Sequence, residues 1–417
     1  MSVEIMNSVG APESLNGRFF QEVLENALFE TDLKIRKLSF ERGSAIGDNF
    51  CSQIYRVQIT FCRSNDDKRL DDLSVIVKSM PTSNELKFLL DLKAFVKEKI
   101  FYTHMIPRLE ILLDNVKLAG RLYYGAKEPI NTLVFEDLGA SDYIMGNRAE
   151  GLDVDHCQLV MKKLGYLHGS SLILHKKDPD CMKSFHSSLL SEDCLNGSDT
   201  FETVFRFSFD SVVRHVSTWQ GYESITKKLQ KYATNFKENL IKTQLPIPGE
   251  LKVLNHGDLW VNNFLFKYNN KETKESVQDV IFIDLQMSIF GSPGFDLNYF
   301  FYTSMQLDVL KEKREELLKT YYKSFSDTLK AYKYENIPSF EDILLEVRRR
   351  EPFGFFANYG VFPGVSMDKS ESSDNTLEKF MDEDFANKKG DVMFSSQRLR
   401  DTMRYTLKRF DELGVLD

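Results

Sequence analysis

The chain changes texture once, near Gly139, and that change limits what it can fold into. Before it, short segments alternate apolar and polar residues and are rich in β-branched and aromatic side chains: LKIRKLSF (33–40), SQIYRVQITF (52–61), LSVIVKS (73–79), LEILLDN (109–115) and NTLVFEDLG (131–139). Alternation of period two buries one face of a strand, so these segments predict five strands of one small sheet. One long helix over 83–106 interrupts them, with Ser83 as its N-cap and Pro107 as its stop. A shorter helix, FFQEVLENALFE, follows the N-terminal tail. After Gly139 an apolar spacing near 3.6 takes over, first in DHCQLVMKKLGYLHGSSLILHKK (155–177), then in two stretches over 200–243, then over 295–350 and 374–414. The polar run SMDKSESSDN (366–375) reads as a loop. A chain of 417 residues exceeds what one small core supports. The expected division is a tail and helix over 1–31, a sheet lobe over 32–137 and a larger lobe over 138–417.

Composition removes several classes of function. The net charge is −8, which gives no bulk attraction for a phosphate backbone or an anionic lipid surface, so no nucleic acid partner is expected. No apolar run reaches the ~18 residues of a membrane span. The start, MSVEIMNSVGAPESLNG, lacks the basic and apolar regions of a secretory leader. Five cysteines, none in a C-x-x-C pair, fit reduced thiols in a cytoplasmic protein.

The stretch VLNHGDLWVNNFLFKY (253–268) sets His256, Asp258, Asn262 and Asn263 between two apolar runs. His256, Asp258 and Asn263 stand as H-x-D-x-x-x-x-N, and VIFID delivers Asp284 at the end of an apolar strand 21 residues after Asn263. Phosphoryl transfer needs such a set. One carboxylate orients the attacking hydroxyl and takes its proton, while a carboxamide and a second carboxylate hold Mg²⁺ against the nucleotide phosphates. The competing reading is a polar turn between two strands with a hydrogen-bonded core histidine. The sheet lobe weighs against it. Lys78 ends SVIVK, and Glu98 lies 20 residues on in the helix, FVKEKIFY, in the order of a lysine–glutamate pair over the α/β-phosphates. Either residue alone reads as a solvated charge. The loop ERGSAIGDN (41–49) has only G-x-x-x-G spacing; backbone N–H groups of Ser44, Gly47 and Asn49 are candidates to reach a phosphate. In LVFEDLG, backbone groups near Glu136 and Leu138 are placed to face an adenine edge.

These residues resemble the protein kinase-like superfold in its small-molecule branch of aminoglycoside phosphotransferases and choline kinases. His-Gly-Asp stands where protein kinases carry H-R-D, Ile-Asp-Leu-Gln where they carry D-F-G, and no A-P-E follows. NHGDLWVNNFLFKY, IDLQMSIFGSPGFDLNYFFYTS (283–304), FVKEKIFYTHMIP and GDNFCSQIYRV together are similar to the ecdysteroid kinase-like family, over roughly 30 to 410. The resemblance implies an α+β, bilobal protein kinase-like fold. Its small antiparallel β-sheet lobe carries one helix, and its larger lobe is mainly helical. It implies ATP and Mg²⁺ as cofactors and a hydroxylated small molecule as acceptor. It makes Asp258 the base, Asn263 and Asp284 the metal ligands, Lys78 the phosphate-binding lysine and Glu98 its partner. It makes His256 a structural brace and Asp296, in GSPGFDLNYF, a support of the loop.

The acceptor is less legible. The aromatic clusters FETVFRFSFDSVVRHVSTW (201–219) and EPFGFFANYGVFPG (351–364) are candidates to line an apolar pocket, or simply core. Three readings stay open: a kinase of an ecdysteroid or similar lipophile, in hormone inactivation or detoxification; a kinase of a polar amino alcohol; and a silent pseudokinase that binds ligand.

Overall fold

Alternation along the strands decides which side chains meet which lobe. In a computed structural model the described residues are 3–43, 52–63, 66–80, 93–127, 130–197, 199–372 and 377–417. Ser44, Gly47, Asn49 and the expected helix start at Ser83 lie outside them. The sheet lobe comprises β1 (Glu4–Asn7), α1 (Gly17–Leu28), β2 (Leu33–Arg42), β3 (Gln53–Arg63), β4 (Asp66–Ser79), α2 (Ala94–Ile100), α3 (Ile106–Leu112), β5 (Leu122–Ala126) and β6 (Thr132–Glu136). Its six strands run in the order β1-β2-β3-β4-β6-β5. All pairs are antiparallel except β1 with β2. Val57, Val75, Val77 and Val134 pack on one face with Phe20, Val23 and Leu24 of α1. The period of two sends Ile54, Arg56, Ile76, Lys78 and Phe135 to the opposite face, where they line a cavity.

Two expectations for this lobe fail, for one reason. Residues 109–115 do not form a strand, and Pro107 does not stop the helix. The chain runs from α2 through a π-helical turn at Phe101–Met105 directly into α3. Pro107 lacks an N–H, but it sits in the first turn of α3, where a missing donor costs little. The wider turn before it is closed by Ile106 N–H donating to Phe101 O. Two strands take the lost strand's place in the count. β5 was not signalled by alternation, and β1 adds the tail to the sheet edge.

The second lobe is mainly helical. β7 (Tyr143–Met145), α4 (Val154–Lys177), α5 (Asp199–Val216), β8 (Val253–Asn255), β9 (Phe264–Asn270), β10 (Glu275–Phe282), β11 (Ile289–Gly291), α6 (Gly294–Thr303) and α7 (Arg314–Ala331) carry or support the site. Asp153 caps α4 by accepting from His156 N at 3.1 Å, and His175, Lys176 and Lys177 oppose the dipole at its other end. The run 366–375 is not all loop, since Lys369–Ser372 is helical. Among the described residues no helix is long and apolar enough to cross a membrane.

α4 and α7 pack backbone to backbone at Gly165 and Gly169. A Cβ on Gly165 would lie 2.4 Å from Tyr321 O and 2.9 Å from Phe325 N. These are main-chain atoms that cannot turn aside. Gly165→Ala is therefore expected to cost about 1–3 kcal/mol of stability despite its better helix propensity. Urea unfolding measures this; an unchanged or raised midpoint would contradict the close packing.

Candidate active site

Lys78 ends the buried register of β4, opposite Leu133 of β6, and its side chain leaves the sheet toward the second lobe. Its Nζ donates to both oxygens of Glu98, at 2.9 and 2.8 Å, and to Asp284 Oδ1 at 2.7 Å. Glu98 comes from α2 and is buried. Asp284 follows β10 in a left-handed conformation, φ +63°. That conformation strains a residue with a Cβ and marks a locally over-determined site. Burial alone would depress the Lys78 ammonium, but the Asp284 and Glu98 carboxylates outweigh it and hold it above its usual range. Burial pushes the Glu98 carboxyl up to about 7, with Lys78 opposing and the Asp284 charge adding to the rise.

The loop between β8 and β9 is fixed from two directions. Asp296, in the first turn of α6, accepts from His256 N at 2.7 Å and Gly257 N at 2.9 Å, and its Oδ2 lies 3.2 Å from His168 Nε2. Gly257 has φ +84°, and a Cβ there would meet Met287 O at 2.0 Å, so only glycine serves between His256 and Asp258. His256 Nε2 donates to Ile283 O at 2.9 Å, and its Nδ1 accepts from Asp258 N at 3.3 Å. The two partners fix the ring's tautomer and tie Asp258 to the backbone beside Asp284.

Asp258 is held by three donors. Asn263 Nδ2, at 2.9 Å, and Trp260 Nε1, at 3.3 Å, reach Oδ2, while the Tyr299 hydroxyl reaches Oδ1 at 2.6 Å. Burial pushes the Asp258 carboxyl above its usual range; the Tyr299 hydrogen bond works against this and the Asp284 charge reinforces it. Asn263 Nδ2 also donates to Asp258 O at 2.8 Å, so its Oδ1 is the atom turned away from Asp258. Asn262 lines the same cavity as Lys78, Asn263 and Asp284, and its Nδ2 is buried without a partner among the described residues. Tyr299 is the residue the sequence reading missed. Its signal is its position three residues after Asp296, which sets both on one face of α6.

A cavity of about 600 Å³ opens between the sheet and this loop. Lys78, Glu98, Asn263 and Asp284 line it, with Glu136 and Leu138 at the crossing between lobes. Glu136 is engaged by Lys117 Nζ at 2.7 Å, and Asp137 by Arg56 at 2.8 Å and Ser74 at 2.6 Å. Asn263 Oδ1 and the Asp284 carboxylate are hard oxygen donors on one wall. That donor set fits Mg²⁺, which needs only one or two carboxylates when phosphates supply the remaining oxygens. Two further cavities lie on the far side of Asp258, lined by aromatic and aliphatic side chains of α5 and of residues 353–365.

Fold and site define a kinase-like small-molecule phosphotransferase with an alcohol group as acceptor. The chain belongs to the ecdysteroid kinase-like family, whose model matches residues 46–334. No curated protein sequence matches it. Among solved structures it is similar to a microcompartment-associated aminopropanol kinase (14% identity, TM-score 0.34, covering 91% of this chain and 98% of that one). It is also similar to a thermostable mutant of the aminoglycoside phosphotransferase APH(4)-Ia (9%, 0.29, 90% and 98%). A third is a glucosamine kinase in complex with glucosamine, ADP and inorganic phosphate (9%, 0.33, 81% and 80%).

Beside Glu98, Lys97 is also buried, and its Nζ donates to Ser187 O at 3.1 Å and Ser288 O at 3.4 Å. No carboxylate is among these partners, and burial pushes the ammonium down to about 8. An unfolded lysine titrates near ~10.4. Between those values the unfolded state binds more protons, so stability rises with pH. Relative to Lys97→Met, the wild-type protein is expected to gain up to about 3 kcal/mol between pH ~8 and ~10.4. Urea unfolding of both across that range reads it; a constant difference would contradict the lowered value.

Proposed function

We propose that the protein transfers the γ-phosphate of ATP, with Mg²⁺, to a hydroxyl of an ecdysteroid or a similar neutral lipophile. The observation that carries this is the 2.9 Å hydrogen bond between Asn263 and Asp258. Asn263 lines the cavity that holds Lys78 and Asp284, and Asp258 lines the apolar cavities behind it. One side-chain contact thus separates a charged nucleotide-sized cavity from an apolar one.

In this reading Lys78 binds the α/β-phosphates and Glu98 orients it. Backbone groups near Glu136 and Leu138 meet the adenine edge, and those of Ser44, Gly47 and Asn49 close over the phosphates. Asn263 Oδ1 and Asp284 would hold Mg²⁺, which when bound would neutralise charge on the phosphate oxygens. Asp258 orients the acceptor hydroxyl and takes its proton as that oxygen bonds to the γ-phosphorus, while the bond to the β–γ bridging oxygen breaks and ADP leaves. Asp296 and His256 hold the loop that carries Asp258. Residues 32–137 serve as the nucleotide lobe and 138–417 as the catalytic and acceptor lobe.

A neutral acceptor is favoured by the lining of the apolar cavities. Their only acidic side chains among the described residues are Asp258 and Asp296, and Asp296 is spent on backbone amides. A cationic amino alcohol would find aromatic rings but no spare counter-charge. The intact set from Lys78 to Asp284 disfavours a silent pseudokinase. Adding a phosphate to such a lipophile fits hormone inactivation or detoxification in the cytoplasm.

An ADP-release screen over ecdysteroids, plant glycosides and amino alcohols tests the reading. Release is expected with the first two groups, and Asp258→Asn should lower it by about 10²–10⁴-fold. Mg-ATP should raise the melting temperature of the wild-type protein and of Asp258→Asn, but not of Asp284→Ala. Release at background with every acceptor, or undiminished in Asp258→Asn, would sink the proposal. Tyr299→Phe is expected to lower kcat by roughly 10-fold with little change in the KM for ATP, because it frees Oδ1 without touching the nucleotide cavity. An unchanged kcat would show that Tyr299 does not position Asp258.

A further inference from the structure

We propose that the acceptor site is two-armed and takes a secondary alcohol, with one large apolar group and one small apolar group on its carbinol carbon. This rests on the reading that Asp258 receives the acceptor hydroxyl. Behind Asp258 lie two cavities of about 240 and about 120 Å³. Leu189, Phe205, Asp258, Met287, Tyr299 and Val361 line both, so these residues form their junction. Oδ2 of Asp258 already accepts from Asn263 and Trp260, whereas among the described residues Oδ1 accepts only from Tyr299. A carboxylate oxygen has two acceptor positions. The incoming hydroxyl therefore donates to Oδ1, on the Tyr299 side, at the junction of the arms.

Beyond the junction the walls differ. The larger arm runs between Phe201, Phe207, Val365 and Met393. The smaller arm is closed by Ile289, Phe295, Phe353 and Phe356. Ser188 and Gln244 also line it, with Ser188 Oγ donating to Gln244 Oε1. The smaller arm has half the volume of the larger, about 120 against about 240 Å³, so it takes the shorter group, for which a propyl chain is the probe. A primary alcohol at the junction fills one arm and leaves the other to water against apolar walls. A secondary alcohol fills both. Together the arms reach the lower end of the about 300–1,000 Å³ typical of small-molecule sites.

The test compares 1-cyclohexylbutan-1-ol with cyclohexylmethanol, which lacks the propyl group. Binding is read without nucleotide from the fluorescence of Trp260, which lines the larger arm, in a Trp219→Phe background. The secondary alcohol is expected to bind about 10–50-fold tighter, the worth of burying three methylene-sized groups. Ile289→Phe, which fills the smaller arm, should cut that preference to about twofold or less. Phe353→Leu, which widens it, should move the preference to 1-cyclohexylheptan-1-ol. Equal affinity for the two alcohols in the Trp219→Phe protein, or absent binding of both, overturns the proposal. So does a preference that survives Ile289→Phe together with an unmoved chain-length optimum in Phe353→Leu. ADP release with Mg-ATP and each alcohol is measured separately. A binding preference without ADP release would keep the two-armed site and remove the kinase reading; ADP release without a preference would remove the two-armed site alone.

Discussion

At the active site the two lobes are tied together by the Lys78 ammonium group. Lys78 leaves the sheet, Glu98 arrives from the helix that crosses behind it, and Asp284 comes from the hairpin of the other lobe. All three are held within hydrogen-bond distance. Two carboxylates this close would repel without the cation, and the cation would be costly to bury without them. Neither lobe completes the group alone. The arrangement is weak as a source of stability, since desolvation offsets much of its Coulomb energy, but strong as a constraint on geometry. It sets the width of the cavity above Asp284 and therefore where a triphosphate could lie.

A second constraint lies deeper and concerns position more than charge. α6 presents Asp296 to the backbone of His256 and Gly257, and Tyr299 one turn later to the side chain of Asp258. A single short helix thus fixes the loop and aims its carboxylate. Gly257 is the price of that approach, since any side chain would strike Met287. The result is a carboxylate with one oxygen saturated by Asn263 and Trp260 and the other facing an apolar space. In the proposed reaction, that asymmetry tells the acceptor hydroxyl where to dock.

Much of this was legible in the sequence. The alternation in LSVIVKS placed Lys78 at the end of a strand, and the spacing from Asp258 to Asn263 and Asp284 identified the loop and hairpin that the structure brings together. What the sequence hid was of two kinds. Residues 109–115 are apolar enough to read as strand, and Pro107 reads as a stop; only the preceding π-helical turn shows why the helix continues. Tyr299 looked like one more aromatic in GFDLNYFFYT. Its role depends on a contact 41 residues back along the chain, which no local pattern encodes. The aromatic clusters of 201–219 and 351–364 could not be told from core, because a pocket and a core differ only in whether space is left between the same side chains.

The most direct measurement of the central claim follows the phosphate itself. The protein is incubated with Mg²⁺, [γ-³²P]ATP and an ecdysteroid such as 20-hydroxyecdysone, and the label is traced by chromatography of the steroid fraction. Label is expected in a steroid phosphomonoester with the wild-type protein, and not with Asp258→Asn, although the variant still binds Mg-ATP. Label confined to inorganic phosphate, or carried to the steroid equally by Asp258→Asn, would contradict the account.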